Sequence, residues 1–548
     1  MRLWELIALA AGGVLGSGWL TAPGSLMDRP EDSLTESLLT WAVGCLLMAA
    51  YAVVVVELGI ADQRTGGLIF HPLRACGPLV ATVVAAALWV AYAINPAIQS
   101  LSVANTISNS GLERGDYPWL ALAAVIMAGV FLLILLPTRH LLVLTVGLTG
   151  AKILLLIIVV AAVVAEHADE YEFARPSFES FSITDLFTGL IGASVIFSYI
   201  GFQAPVDFAG EVQGDRQQVA RTIRWAVYGT IVGSFVLYAA LQFAWLLLIK
   251  HEGAGHGTFV DAVDGTAWLR VLVLIVAIIA PLGSAIVFSL ALTREVAALC
   301  RAHLVDRGLQ IARFSRIGSS GRYDVYWLIT LVNFGVAFVV AALALGVGIW
   351  AGSPPNQSLH GLNSGLILLV YTMSGVVLAV RPGRRLAKLF PGVVFVLTAL
   401  IVLESGIQDH EGRAEAASWI EGVSGHLAGG IVVMLLAALI LLGAPWLAER
   451  DLPVAGRALR GIDAQNHLSR LGAGFGDASV APFVWLVAYV VLLGACAILG
   501  RIYWSMESAL LGLMSFGSLV IFWLLLRSSQ NYMETPDRNS GRRAVTTD

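Results

Sequence analysis

Two short stretches interrupt apolar runs with residues that helices avoid. Gly16-Ser17-Gly18 breaks the run Leu6–Leu20, and Tyr199-Ile200-Gly201-Phe202, with Pro205 just beyond, breaks the run Val195–Pro205. Glycine is a poor helix former and proline removes a backbone donor. Within a bilayer, unwound backbone persists only where protein encloses it or a cavity solvates it. A broken helix presents N–H groups and a positive dipole end where its second half starts, and carbonyls with a negative end where its first half stops. The half-helix starting near Trp19 therefore suits a carboxylate, and the carbonyls near Tyr199–Phe202 suit an ammonium group. Placed side by side, these describe a site for an α-amino acid, formed by Gly16, Ser17, Gly18, Phe197, Ser198, Tyr199, Ile200 and Gly201. Breaks at matching places in two halves of a chain point to a carrier with its site at the bilayer midplane. The competing explanation for either break alone is that small residues let helices pack closely.

The ionisable residues inside apolar runs come next. Lys152, in Thr149-Gly150-Ala151-Lys152-Ile153, is the only lysine well inside such a run. A buried ammonium must find acceptors or give up its proton, which makes Lys152 a candidate for proton coupling; the alternative is a lysine that snorkels to the interface. Glu57, Asp207, Glu211 and Arg294 form a candidate gate in which Arg294 pairs with Glu211 or Glu57. Static ion pairs at helix ends explain the same four residues. Tyr92, Asn95 and Gln99, with Ser284 and Ser289, either read the substrate side chain or bond between helices. No arginine or further lysine is obviously placed to meet a side-chain carboxylate.

These residues need a membrane bundle to position them. Of the 548 residues, 58% are hydrophobic and 13% charged, with a mean hydropathy of +0.81; soluble domains carry about 25% charged residues. The net charge of −4 excludes a nucleic-acid partner on electrostatic grounds. The four cysteines (Cys45, Cys76, Cys300, Cys496) lack metal spacing and read as small hydrophobes. A span takes about 20 apolar residues, and 14 candidates are expected at 3–26, 37–60, 78–103, 118–136, 141–165, 187–210, 222–249, 267–299, 325–350, 362–380, 390–404, 425–444, 481–499 and 504–526. The first reads as a retained helix, since only Arg2 precedes it. With a cytoplasmic N-terminus, alternation puts 24 Lys and Arg on cytoplasmic segments against 6 outside. That bias supports an even number of spans, both termini cytoplasmic, and residence in the cell membrane. The segment 445–480 reads as a glycine-containing cytoplasmic linker to an accessory pair of helices over 481–526, and 527–548 as a disordered tail.

Several of these residues also carry a family resemblance. Gly13-Val-Leu-Gly-Ser-Gly-Trp-Leu20 resembles the first-helix motif of the amino acid–polyamine–organocation superfamily. So do Tyr51…Glu57-Leu58-Gly59 with Arg64-Thr65-Gly66-Gly67, and Phe197-Ser-Tyr-Ile-Gly-Phe-Gln203 with Ala209-Gly210-Glu211-Val212. The wording is most like that of bacterial aspartate–proton symporters, and the match runs in order over roughly residues 1–400. The resemblance implies an all-α, LeuT-type membrane fold of about 14 helices. Helices 1–5 and 6–10 would be inverted repeats (about 1–165 and 187–380) within a transport core over 1–380, followed by helices 11–12 over 381–444. It implies proton-coupled amino acid uptake by alternating access. In that family Lys152 matches a lysine standing where sodium-coupled members hold an ion, Phe197 an aromatic that closes over the substrate, and Arg294 a further family position. The chain departs from the family in the loop after Glu211, which lacks the usual Asn-Pro-Lys-Arg, and at Ala297-Ala-Leu-Cys-Arg301, where Ala-Arg-Asp-Gly is usual.

The function expected is therefore a secondary transporter, with an amino acid, a proton and the lipid bilayer as its partners and no cofactor. An exchanger of amino acids or amines, or a transporter-like sensor or accessory subunit, are the alternatives. An enzyme is not expected, because no metal spacing, serine nucleophile motif or nucleotide loop is present.

Overall fold

A computed structural model describes residues 1–27, 34–61, 66–108, 118–167, 195–252, 258–263, 267–301, 314–318, 321–325, 327–351, 355–380, 391–396, 477–502 and 507–534, with the isolated positions 63, 186, 190, 398 and 399. In chain order the helices are α1 (Leu3–Val14), α2 (Gly18–Leu26), α3 (Leu34–Ala61), α4 (Gly67–Cys76), α5 (Pro78–Ile107), α6 (Pro118–Leu133), α7 (Thr138–His167), α8 (Val195–Tyr199) and α9 (Ala204–Asp207). They continue as α10 (Arg216–Glu252), α11 (Ala267–Arg301), α12 (Trp327–Ala351), α13 (Pro355–Val380), α14 (Asp477–Ile502) and α15 (Glu507–Glu534). A two-stranded antiparallel hairpin, β1 (Phe314–Gly318) with β2 (Gly321–Val325), lies between α11 and α12.

Among the described residues, seven helices are long and apolar enough to cross a bilayer, and α1 with α2 makes an eighth span bent by 48°. Shorter apolar helices cover Leu120–Leu133, Trp327–Ala342 and Val480–Ala495. The expected span at 425–444 and nearly all of the 445–480 linker lie outside the described residues. Exposed Leu132, Val143, Leu154, Val232 and Val236 form an apolar outer face that suits lipid. Helix α5 runs through the centre, with 94% of its apolar window buried, whereas α7 lies at the rim with 28%.

The two interrupted spans cross at the middle of this bundle. The first breaks because Leu15 leaves helical geometry (φ −80°, ψ 65°) between Val14 and the start of α2 at Gly18. The second breaks at Gly201, whose φ of +126° favours glycine. A Cβ on Gly201 would stand 2.5 Å from the Gly13 carbonyl carbon, so the two breaks abut backbone to backbone. Apart from the one hairpin, the architecture is the helical, twice-broken bundle expected of a LeuT-type fold.

Three details differ from the sequence reading. The expected loop at 61–77 contains α4, a ten-residue helix whose Leu68, Ile69 and Phe70 are buried. It is too short to register as a span. The loop at 300–324 contains most of the hairpin. The last helix runs to Glu534, eight residues beyond the expected end at 526, because Ser528, Ser529 and Tyr532 are buried. Ser529 Oγ lies 3.4 Å from Cys76 Sγ, and the Tyr532 ring packs on Gly77, so the end of α15 seats on the end of α4.

Candidate substrate and coupling site

Stopping α1 at Val14 frees the carbonyls of its last turn. In an apolar interior each needs a donor, and side chains from three other helices supply them. Lys152 Nζ on α7 donates to Gly12 O and Leu15 O, both at 2.7 Å, and reaches Ala280 O on α11 at 3.5 Å. Ser284 Oγ on α11 donates to Gly13 O (2.9 Å), and Thr149 Oγ1 on α7 to Ala8 O (3.0 Å). Tyr238 OH on α10 lies 3.0 Å from Val14 O and 2.8 Å from Ser198 O, bridging the first break to the second. Lys152 is fully buried, and its ammonium caps a helix C-terminus, where a cation is favoured. It does not snorkel.

The second half of the first span begins without a side-chain cap: Ser17 makes no capping bond. Among the described residues its buried hydroxyl has no hydrogen-bond partner, and neither do Asn95 Oδ1 and Gln99 Oε1 of α5 or Ser289 Oγ of α11. A Cβ on Gly16 would meet Gln99 Nε2 at 2.8 Å and Ser284 Oγ at 3.0 Å, so the Gln99 amide and the Ser284 hydroxyl lie directly against the first break. Gly18 packs on Ser198 closely enough that any side chain there would overlap it. The break therefore brings the Ser17 hydroxyl and the Gln99 amide to the start of α2, where a helix leaves N–H groups without intrahelical partners.

Aromatic residues surround this centre. Phe197 stacks on His360 of α13, with ring centroids 4.1 Å apart and planes 16° from parallel. Trp41 of α3 stacks on Tyr238 at 4.6 Å and donates through Nε1 to Gln242 Oε1 at 2.9 Å. Gln242 Nε2 lies 3.3 Å from Pro23 O, and Trp245 Nε1 donates to Met27 O at 2.8 Å, fixing the end of α2 to α10.

The four charged residues expected to form one gate separate into three groups. Arg294 Nε meets Glu211 Oε1 at 3.2 Å, Arg294 Nη2 donates to Thr138 Oγ1 at 3.0 Å, and the guanidinium lies 5.4 Å from the Phe208 ring centroid. The Met1 ammonium donates to Glu211 O at 2.5 Å. Glu57 does not join them: it pairs with Arg224 of α10 at 2.8 Å, with both side chains nearly half exposed. Asp207 does not face Arg294 either. It is fully buried, and Tyr92 OH donates to its Oδ2 at 2.7 Å. Tyr92 thus belongs with Asp207 rather than with Gln99 at the break.

Sequence reasoning did not single out Tyr238, Thr149, Trp41, His360 or Glu295. None stands in a motif, and each takes its place from a partner more than 30 residues away. The signal for Thr149 was its position three residues before Lys152, on the same face of α7.

Two broken helices meeting at a buried polar turn, within an apolar bundle, define a multi-pass membrane carrier of small solutes. The chain belongs to the amino acid permease family, whose model matches residues 1–404. It is 23% identical over 436 residues to the aspartate-proton symporter of Bacillus subtilis (strain 168), covering 74% of this chain and 79% of that one. It is 21% identical over 320 residues to the glutamate/serine transporter AimA of the same organism, covering 54% and 58% of the two chains. Among solved structures, MhsT in complex with L-phenylalanine is similar over 81% of this chain and 99% of that one, at 13% identity and a TM-score of 0.47. The protein is accordingly an amino acid transporter.

Proposed function

We propose that this permease takes up an amino acid together with protons by alternating access, and that Lys152 couples the two. The observation that carries the reading is the placement of Lys152 Nζ on Gly12 O, Leu15 O and Ala280 O. A protonated lysine has three N–H donors and no acceptor, so it ties α7 and α11 to the end of α1. Losing the proton removes one donor and turns a lone pair towards carbonyl oxygens. The broken helix then loses its hold on α7 and α11. Proton occupancy is in this way converted into freedom of the helix that lines the substrate site.

The substrate's carboxylate is met by the start of α2, with Ser17 and Gly18. Its ammonium group is met by carbonyls at the end of α8, around Tyr199–Gly201, with Phe197 closing over it against His360. Gln99, against the first break, and Asn95, one turn earlier on α5, would read the side chain. The charge bias along the chain puts the N-terminus inside, so the Arg294–Glu211 pair, bonded to Met1 through Glu211 O, lies at the cytoplasmic end. Aspartate is the first substrate to test, because the relative with the larger matched span is an aspartate-proton symporter.

The test is uptake of labelled L-aspartate into proteoliposomes with and without an inward proton gradient, against a panel of unlabelled amino acids. Gradient-driven accumulation supports the reading. Competition by another amino acid moves the substrate and keeps the mechanism. Exchange that ignores the gradient, or ligand binding without transport, rejects proton-coupled uptake.

A further inference from the structure

A second buried titratable cluster lies apart from Lys152. Asp207 on α9 and Glu295 on α11 are 0% and 1% exposed, and their carboxyl groups lie within hydrogen-bonding range of each other. An ionised carboxylate only accepts hydrogen bonds, so a bond between two carboxyl groups requires a proton on one of them. Two carboxylates sharing a desolvated site otherwise repel strongly. Tyr92 OH already donates to Asp207 Oδ2. The other oxygen, Oδ1, is buried and receives no N–H or hydroxyl hydrogen among the described residues. A proton on the Glu295 carboxyl group would satisfy that oxygen and remove the repulsion between the two groups. One turn before Asp207, Gln203 Nε2 is likewise buried without an acceptor.

The titratable and charged groups on the surrounding elements are accounted for as follows. From α13, Tyr371 is within electrostatic range of Asp207 and donates to Gln203 Oε1 at 2.7 Å. From α3, Tyr51 bonds Thr398 (2.6 Å), and Glu57 pairs with Arg224 of α10. From α4, His71 is buried and has its own contacts. Arg294, adjacent in sequence to Glu295, is held by Glu211 and Thr138.

We propose that Asp207 and Glu295 form a second proton-binding site, an acid–carboxylate pair that holds one proton between α9 and α11 while the Arg294–Glu211 end is packed as here. When that end opens and water reaches the pair, the O–H bond breaks and the proton passes to water. Two carboxylates then face each other, and their repulsion keeps α9 away from α11 until one is protonated again. The backbone links a third element: Gly66 N–H donates to Asp207 O at 3.1 Å, so α4 moves with α9. The pair's role in transport rests on the proton-coupled reading above; its protonation does not.

The experiment is infrared spectroscopy of the purified, lipid-reconstituted protein at neutral pH, comparing wild type with Asp207→Asn and Glu295→Gln. The expected result is a carbonyl band of a protonated, desolvated carboxylic acid that shifts in D₂O and is lost in each variant. Tyr92→Phe should move the band without abolishing it. Persistence of the band in both variants, or its absence from wild type, overturns the proposal, as does its displacement by added sodium, which would make the pair a cation site. If Asp207→Asn does not fold, the isosteric Glu295→Gln on the opposite helix decides the same question. The number of protons carried per substrate, from zero-current potentials in proteoliposomes, should fall by one in Glu295→Gln. A wild type that transports no amino acid would refute the proposed function and leave the infrared result standing.

Discussion

At the residue scale, Lys152 and the two abutting glycines decide most of the site. Replacing Lys152 with methionine leaves Gly12 O and Leu15 O buried without their 2.7 Å donors. Each unsatisfied carbonyl costs about 1–3 kcal/mol. We expect Lys152→Met to lose gradient-driven accumulation, and Lys152→Arg to lose it too, because a guanidinium does not release its proton; both are checked by uptake with and without the gradient. Gly201→Ala must fail for a different reason. Its φ of +126° and a Cβ 2.5 Å from Gly13 leave no room for a methyl group, so the variant should lose both monodispersity in detergent and transport. Gly201 and Lys152 were legible in the sequence because their types are wrong for a lipid-facing helix; Gly13 was not, since the break was expected at Gly16–Gly18. Glu295 was not, since beside Arg294 it reads as half of a local charge pair. Only the fold sends the arginine towards Glu211 and buries the glutamate beside Asp207.

At the scale of elements, the two ion pairs near α9 and α10 differ in kind. Glu57–Arg224 has side chains 44% and 48% exposed, so water screens it and it contributes about 0–1 kcal/mol. We expect Glu57→Gln to change thermal stability within that range and to leave uptake nearly intact. Arg294–Glu211 is less exposed and links α11 to the turn after α9. Either Arg294→Glu or Glu211→Arg should reduce uptake, and the double swap should recover a substantial part of it; absence of recovery would make the pair a static brace. The broken spans could be read from composition, since glycine and proline interrupt apolar periodicity. Helix α4 could not. Its ten residues lie between Gly66 and Gly77 in what reads as a loop, and only the contact of Gly66 with Ala298, at a φ of +79°, shows why the chain re-enters the bundle there.

At the scale of the molecule, apolar composition dictated a bundle, and the charge bias of the sequence predicts how it faces the bilayer. If both termini are cytoplasmic, cysteines introduced at Arg2 and at Glu534 should label only in inside-out vesicles with a membrane-impermeant maleimide; labelling from opposite sides would require an odd number of spans. The long-range contacts were not legible, because pairing 271 residues apart, as between Gly13 and Ser284, leaves no local periodicity. That same separation has a consequence for biosynthesis. The first span leaves the ribosome with an interrupted backbone, and the donors that quench its carbonyls arrive later: Thr149 and Lys152, then Tyr238, then Ser284. Until the eighth of the expected spans has been synthesised, the opening segment is incompletely satisfied in hydrocarbon. Its lateral release into lipid is then a late event in assembly, although it is translated before every one of those donors.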